Sequence, residues 1–172
     1  MHIMFEGSEG GSKGSMDIEK APSMIDGNPE EKVLRSLAEG FPRTISGGEK
    51  LKSGVIRAHV ERTDLYAVCQ TLRDSLGFEH ISMISAVDYP DRFELVYHIT
   101  SYQSRLLLEL VTGTPKDDPG VDSVSSVWGG ANWQEREAYD LMGVVFRNHP
   151  KLERILLPMD TMFHPLRKDF KG

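Results

Sequence analysis

Apolar positions recur at helical spacing in two stretches of the N-terminal half of the chain. In EEKVLRSLAE, residues 30–39, a helix is bounded by Asn28 as N-cap, Pro29 at its first position and Gly40 at its end. In DLYAVCQTLRDSL, residues 64–76, the apolar residues recur every three or four positions, after Thr63 as a predicted cap. The pattern therefore predicts two amphipathic helices.

Four further stretches alternate between apolar and polar positions, as half-buried strands do. They are GVIRAHVE at 54–61, ISMISAVDY at 81–89, FELVYHITSY at 93–102 and RLLLELVTG at 105–113. Short turns separate the last three, which predicts an antiparallel meander. The order of strand, helix and three strands predicts an α+β fold, a mainly antiparallel sheet with helices on one face.

Three regions of different composition follow from this pattern. Residues 1–28 are rich in Gly and Ser and carry little apolar surface, so we expect a flexible N-terminal tail. Residues 29–158 contain all of the predicted elements and form the α+β domain. Residues 159–172, ending in MFHPLRKDFKG, mix apolar and basic side chains and predict an extended C-terminal docking tail.

A third helix is predicted in ANWQEREAYDLMG, where two Glu, one Arg and one Asp fall within the six residues 135–140. Asn132 precedes Glu135 at the spacing of a capping box, and Gly143 stands where a helix ends. Arg136 and Asp140 are four residues apart, so we expect them to pair across one turn. The segment therefore predicts a short helix with a cap at each end.

Two chemical alternatives for this segment remain open at the level of spacing. Glu137 and Asp140 lie three residues apart, which places both carboxylates on one helical face, as an acid–base pair requires. His149 and Glu153 are four apart, a ligand spacing for a metal, but Pro150 lies between them. No nucleophile or phosphate-binding loop accompanies either pair, so a structural or interface role is favoured.

Composition disfavours several classes of function. The net charge of -6 disfavours nucleic-acid binding. Cys69 is the one cysteine, so the chain has no internal disulfide and no cysteine cluster for zinc or iron–sulfur. No apolar run is long enough to cross a bilayer, and no signal peptide is visible. We therefore expect a chain that is made and kept on the cytoplasmic side and that can sit at a membrane through a partner.

The C-terminal third resembles one known family closely. The stretch from Glu135 to Gly143, EREAYDLMG, is followed by Phe146, His149-Pro150 and Arg154, and then by HPLRKDF at residues 164–170. These two motifs resemble the signatures of the C-type, thirty-kilodalton subunit of respiratory complex I. Asn148 stands where the family often has Gly, and Asn tolerates a left-handed turn. Glu153 stands where the family often has Arg.

The resemblance implies a subunit without a cofactor or metal of its own, in a complex whose other subunits hold iron–sulfur clusters and a flavin. Such a subunit docks on the D-type and B-type subunits in the peripheral arm. Electrons pass there from NADH or reduced deazaflavin to a quinone-type acceptor, and the complex translocates ions. The chain is then part of an oxidoreductase but has no active site of its own. Glu153 and the linker-like N-terminus favour a non-mitochondrial complex, an archaeal one among them.

The resemblance also implies where the partners are contacted. We expect the interface at Trp133, Glu135, Arg136, Glu137, Tyr139, Asp140, His149, Arg154, His164, Pro165, Leu166, Arg167, Lys168, Asp169 and Phe170. Three other functions compete with this one: the equivalent subunit of a membrane-bound hydrogenase, a soluble adaptor, and a free-standing acid–base enzyme using Glu137 and Asp140.

Overall fold

The structure is a computed structural model that describes residues 28–171. The predicted flexible tail thus lies outside the described residues, except for Asn28. In chain order the elements are α1 (Pro29–Gly40), β1 (Ile45–Lys52), β2 (Val55–Val60), α2 (Leu65–Asp74), β3 (His80–Asp88), β4 (Arg92–Ser101), β5 (Leu106–Pro115), β6 (Gly120–Asp122), α3 (Ala131–Met142) and β7 (Val145–Arg147).

Five strands form one mixed sheet in the order β1-β2-β5-β4-β3. Strands β3, β4 and β5 pair antiparallel, which confirms the predicted meander. Strand β2 pairs with β5 in parallel, with Ala58 opposite Leu110. A parallel pair needs a long connection, and α2, β3 and β4 together provide it. The α+β class with a mainly antiparallel sheet is therefore confirmed.

The core lies on one face of this sheet. Alternate residues of β4, from Phe93 to Ile99, are buried and pack with their counterparts on β2 and β5. Val33 and Leu37 of α1, and Leu72 of α2, join the same cluster, as do apolar residues of α3. The three helices thus cover this face, as predicted, because each has an apolar stripe to remove from water.

Two features of the sheet were missed by the sequence pattern. Strand β1 has the sequence ISGGEKLK, which lacks an apolar alternation, and it pairs with β2 as an exposed edge strand. Strand β3 shifts register between Ile81 and Met83, so that Ile81 and Ile84 both face the core despite their odd spacing. Such a bulge breaks the period of two on which strand prediction depends.

Helix boundaries were predicted better than helix caps. Asn28 caps α1 as predicted, and its side chain accepts a hydrogen bond from Glu30 N–H at 3.4 Å. The predicted cap at Thr63 is wrong: α2 starts after Asp64 without a side-chain cap, and the Thr63 hydroxyl donates to Asp64 at 3.4 Å. Gly77 follows α2 with a φ of 68°, the left-handed conformation that favours glycine.

The Tyr97 hydroxyl is buried in the core with no hydrogen-bond partner among the described residues. Tyr97→Phe removes this orphaned group, so we expect the free energy of unfolding to stay the same or to rise by up to about 1 kcal/mol. Urea unfolding measures the change. The matched control is Tyr66→Phe, which removes a hydroxyl bound to Ser126 and should bring no gain. A loss above about 1 kcal/mol in Tyr97→Phe would show that the hydroxyl is satisfied after all.

Candidate functional site: the α3 helix and the C-terminal segment

Helix α3 begins one residue earlier than its predicted cap. Gly130 occupies the N-cap position and no side chain caps the helix, so the predicted capping box of Asn132 and Glu135 is wrong. The other end is as predicted: Gly143 has a φ of 77°, and its N–H donates to Tyr139 O at 2.9 Å. Asn148 also lies in the left-handed region, with a φ of 62°, a conformation that Asn adopts more readily than most residues.

Glu135 is fully buried rather than exposed at the helix start. Its carboxylate accepts hydrogen bonds from Ser123 Oγ at 2.5 Å and from Val124 N–H at 2.7 Å. Burial outweighs these two bonds and raises the pKa of Glu135 to about 7. The side chain therefore fastens the loop after β6 to α3.

The side chain of His149 is buried next to Glu135. Its Nδ1 accepts from Lys151 N–H at 3.0 Å, so Nε2 carries the hydrogen and faces Asn132 O at 3.1 Å. Nε2 also lies 3.9 Å from Glu135. The ring thus connects the turn after β7 to the start of α3. The metal-ligand spacing of His149 and Glu153 is not used, since both ring nitrogens face backbone groups.

Asp140 is the most heavily bonded carboxylate of α3, and it is fully buried. One oxygen accepts from the N–H groups of residues 155, 156 and 157 at 2.8–3.0 Å. The other accepts from Arg154 Nη1 at 2.6 Å. These contacts, here called the Asp140 anchor, lower the pKa of Asp140 to about 2 against the opposing effect of burial.

Arg136 does not pair with Asp140, so the predicted pairing across one turn is wrong. Its guanidinium donates instead to the backbone carbonyls of Glu153 and Arg154, at 3.0 and 3.3 Å. The same group lies 5.1 Å from the ring of Trp133, which is 64% exposed. Asp140 and Arg136 thus both bind the segment that follows β7, and neither binds the other.

The predicted docking tail packs against the C-terminal end of α3 in its own domain. His164 Nδ1 faces Asp140 O at 2.9 Å, and Leu166 N–H donates to Leu141 O at 3.1 Å. Arg167 Nε donates to Met142 O at 2.7 Å. Since the carbonyls at the end of a helix have no partners within it, the tail satisfies them. Residues 164–167 therefore complete the C-terminus of α3.

Gly143 makes this approach possible. A Cβ at this position would collide with Arg167 Nη2 and would lie 2.7 Å from His164 Nε2. The left-handed backbone favours glycine here, and a Cβ would also displace the Arg167 and His164 side chains.

Asp88 at the end of β3 holds the far end of the tail. It is 4% exposed, accepts from Lys168 N–H at 2.8 Å and lies 2.5 Å from Lys116 Nζ. These cationic and amide donors lower its pKa despite burial. Sequence reasoning missed Asp88, although a carboxylate at a core-facing position of an apolar strand was a usable signal. Ser123, which donates to Glu135, and Gln134, whose Oε1 accepts from Ile84 N–H of β3, were missed as well, and no local pattern marks either residue.

The remaining predicted interface residues divide into packed and exposed ones. Tyr139 packs edge-on to His164, with ring centroids 6.5 Å apart, and Phe170 stacks on Phe163 at 5.0 Å. Pro165 is half-buried, whereas Glu137 and Asp169 are exposed. Glu137 and Asp140 have different surroundings, because both oxygens of Asp140 are held by the segment after β7. The two carboxylates do not form an acid–base pair.

No cluster of three or more potential metal ligands occurs within residues 28–171. Cys69 is buried, and burial raises the pKa of its thiol, as expected for an inert cysteine. Within the same residues, no helix has the length and apolar character that crossing a membrane requires.

Fold and site together define a small α+β domain whose buried carboxylates organise its own C-terminal segment. The family described as "Respiratory-chain NADH dehydrogenase, 30 Kd subunit" matches residues 58–172. The chain therefore belongs to this family, the C-type subunits of complex I, and the resemblance noted in the sequence is confirmed.

Individual relatives agree with this assignment. The chain is 44% identical to the C-type subunit of the F(420)H(2) dehydrogenase of Methanosarcina mazei over 143 residues, which are 81% of this chain and 90% of that protein. It is also 44% identical to the C-type subunit of the NADH-quinone oxidoreductase of Geobacter metallireducens, over 81% of this chain and 88% of that one.

Solved structures share the fold. A trypsin-resistant fragment of Nqo5 aligns with a TM-score of 0.61 and 28% identity, over 73% of this chain and all of the fragment. A chain of the membrane-bound sulfane sulfur reductase, an archaeal respiratory membrane complex, aligns with a TM-score of 0.73 and 24% identity, over 82% and 85% of the two chains.

The raised pKa of Glu135 predicts a pH-dependent stability. The folded state holds a proton up to about pH 7, whereas the unfolded chain releases it near the ordinary value of 4.5. The contribution of Glu135 is therefore complete below pH 4.5 and is lost as pH rises through 7, by about 3 kcal/mol in all. Urea unfolding of the wild type and of Glu135→Gln from pH 5 to 8 measures this loss. The decrease in unfolding free energy with pH that Glu135 causes should be absent from Glu135→Gln. Equal slopes in the two proteins would contradict the assignment.

The Asp140 anchor predicts a large effect of one substitution. Asp140→Ala removes the carboxylate partner of the Arg154 guanidinium and the acceptor of three N–H groups, so we expect a loss of about 3–5 kcal/mol of unfolding free energy. Asp160→Ala, an exposed aspartate twenty residues on, should change little. In the wild type, this stabilisation is present above the ordinary pKa of 3.8 and is lost as pH falls through 2. Equal losses in the two variants would rule out the anchor.

Proposed function

We propose that the chain is a structural and assembly subunit, without an active site, in the peripheral arm of a complex I-like, ion-translocating oxidoreductase. It docks there on the D-type and B-type subunits. The electrons come from NADH or reduced deazaflavin and pass to a quinone-type acceptor through iron–sulfur clusters and a flavin held by other subunits. The chain is thereby peripheral to the cytoplasmic side of the membrane.

One observation carries the docking proposal. Between residues 156 and 166 the chain exposes a set of large apolar side chains, here called the apolar ridge: Leu156, Met159, Met162, Phe163 and Leu166. Met162 is 93% exposed and Met159 69%. Exposed apolar surface rimmed by polar residues is typical of protein interfaces, and Met adapts well to a partner.

The ridge is held in place by the chain itself. Arg154 Nη2 donates to Thr161 O at 2.7 Å and to Phe163 O at 3.2 Å, while the Asp140 anchor holds residues 155–157. A segment ordered before binding loses less conformational entropy when it binds. This supports the view that the polar residues of both motifs orient the segment and that its apolar side chains meet the partner.

The alternatives have less support. The oxygens of Asp140 are fully engaged, which leaves the acid–base enzyme without its second carboxylate. An adaptor outside respiration does not explain the relatives, which are named as subunits of NADH-quinone oxidoreductase and F(420)H(2) dehydrogenase.

A charge placed in the ridge tests the docking. In the native host, a tagged chain is purified in mild detergent, and the D-type and B-type subunits recovered per tagged chain are counted by mass spectrometry. Met162→Glu should lower this ratio about tenfold, because an unpaired charge would be buried at the interface. Leu51→Glu is the matched control, since Leu51 is an exposed apolar residue on the edge strand β1.

Met162→Glu should keep the thermal midpoint of the wild type, because Met162 is 93% exposed. Leu51→Glu should lower the midpoint only slightly, because Leu51 is 40% exposed on an edge strand. The wild type should recover both subunits. Failure of the wild type to recover them, or equal recovery with Met162→Glu and Leu51→Glu, would contradict the proposal.

A further inference from the structure

An apolar groove lies between strand β3 and helix α3, with a volume of about 420 Å³. One wall is formed by residues 82–86 of β3 and the other by α3, including Ala138 and Leu141. Leu166 of the C-terminal segment also lines the groove, and its N–H donates to Leu141 O at 3.1 Å. The β3–α3 groove is therefore complete only when the C-terminal segment is seated on α3.

Strand β3 is at the edge of the sheet, but it is not open to an added strand along the groove. Ile84 N–H, which would pair with such a strand, already donates to Gln134 Oε1 of α3 at 2.5 Å. Since α3 also packs on β3, this N–H is not available to an added strand. The side chains that line the groove remain open to a partner.

The side chains of the groove indicate what they would bind. Met83 is 47% exposed and Leu166 60%, which leaves apolar surface in water. Glu137 is the one charged residue that lines the groove, and no cation within residues 28–171 lies within ion-pair distance of it. The neighbouring Arg136 is bound to the carbonyls of residues 153 and 154.

We propose that the β3–α3 groove receives a segment of a neighbouring subunit in which a large apolar side chain stands beside a lysine or arginine. The apolar side chain lies against Met83 and Leu166, and the cation pairs with Glu137. The pair gains strength because the apolar walls exclude water from it. This inference rests on the proposed function and specifies a second contact with the complex, which adjoins the apolar ridge at Leu166.

The occupant is identified by cross-linking within the intact complex. A genetically encoded diazirine amino acid of about the length of methionine replaces Met83, and the tagged complex is purified and irradiated. The cross-linked peptides are sequenced by mass spectrometry. We expect a peptide from another subunit that carries a lysine or arginine within one helical turn of the linked apolar residue. The same amino acid at Leu51, outside the groove, should not link to that peptide.

Charge reversal then tests the ion pair. Glu137→Arg should lower the yield of that cross-linked peptide about tenfold, and Glu137→Gln by less, because like charges repel at an interface. Glu39→Arg reverses an exposed, equally unpaired carboxylate on α1 and should have no effect. Reversal of the identified cation to glutamate should restore the yield in the Glu137→Arg background.

Each other result overturns the inference. These results are links only to lipid, to a second copy of this chain or to its residues 1–27; a linked peptide without a nearby cation; and an unchanged yield with Glu137→Arg. The purification separates this failure from that of the proposed function. If the D-type and B-type subunits are recovered but Met83 gives no such link, the groove inference alone fails.

Discussion

The burial of the Asp140 carboxylate is the constraint on which the C-terminal third of this protein depends. A buried charge is stable only when it is paired and hydrogen-bonded, so the Asp140 carboxylate needs donors from elsewhere in the chain. Arg154 and three consecutive N–H groups donate to it. A stretch with no helix or strand of its own thereby acquires a fixed position, and Arg154, once placed, fixes the carbonyls of residues 161 and 163 in turn.

The three carboxylates of α3 face three different parts of the molecule. Glu135 faces inward to the loop after β6, Asp140 faces the segment after β7, and Glu137 faces the groove beside β3. The helix is therefore a junction between the sheet, the C-terminal segment and the surroundings of the domain. The docking that we propose uses the apolar side chains that remain exposed. The polar residues of the motifs largely form hydrogen bonds within the chain.

The sequence predicted the elements better than their contacts. The meander follows from alternation, and the ends of α2 and α3 follow from the left-handed glycines Gly77 and Gly143. Helix α1 ends at Gly40 as predicted, but its C-cap is Phe41 and Gly40 has no positive φ. The bulge in β3 and the polar strand β1 have no such signal, because their pairing is decided by neighbours distant in the chain. The capping box and the Arg136–Asp140 pair were wrong for one reason: helical spacing predicts exposed neighbours, and Glu135 and Asp140 are buried against other segments.

The most direct test of this account is hydrogen exchange in the isolated wild-type chain, in the absence of any partner. The account predicts that the amides of residues 155–157, 166 and 168 exchange as slowly as those in the middle of α3, because Asp140, Leu141 and Asp88 hold them. Exchange of these amides at the rate of an unstructured peptide would show that the segment is ordered only by its partners, and would contradict the account.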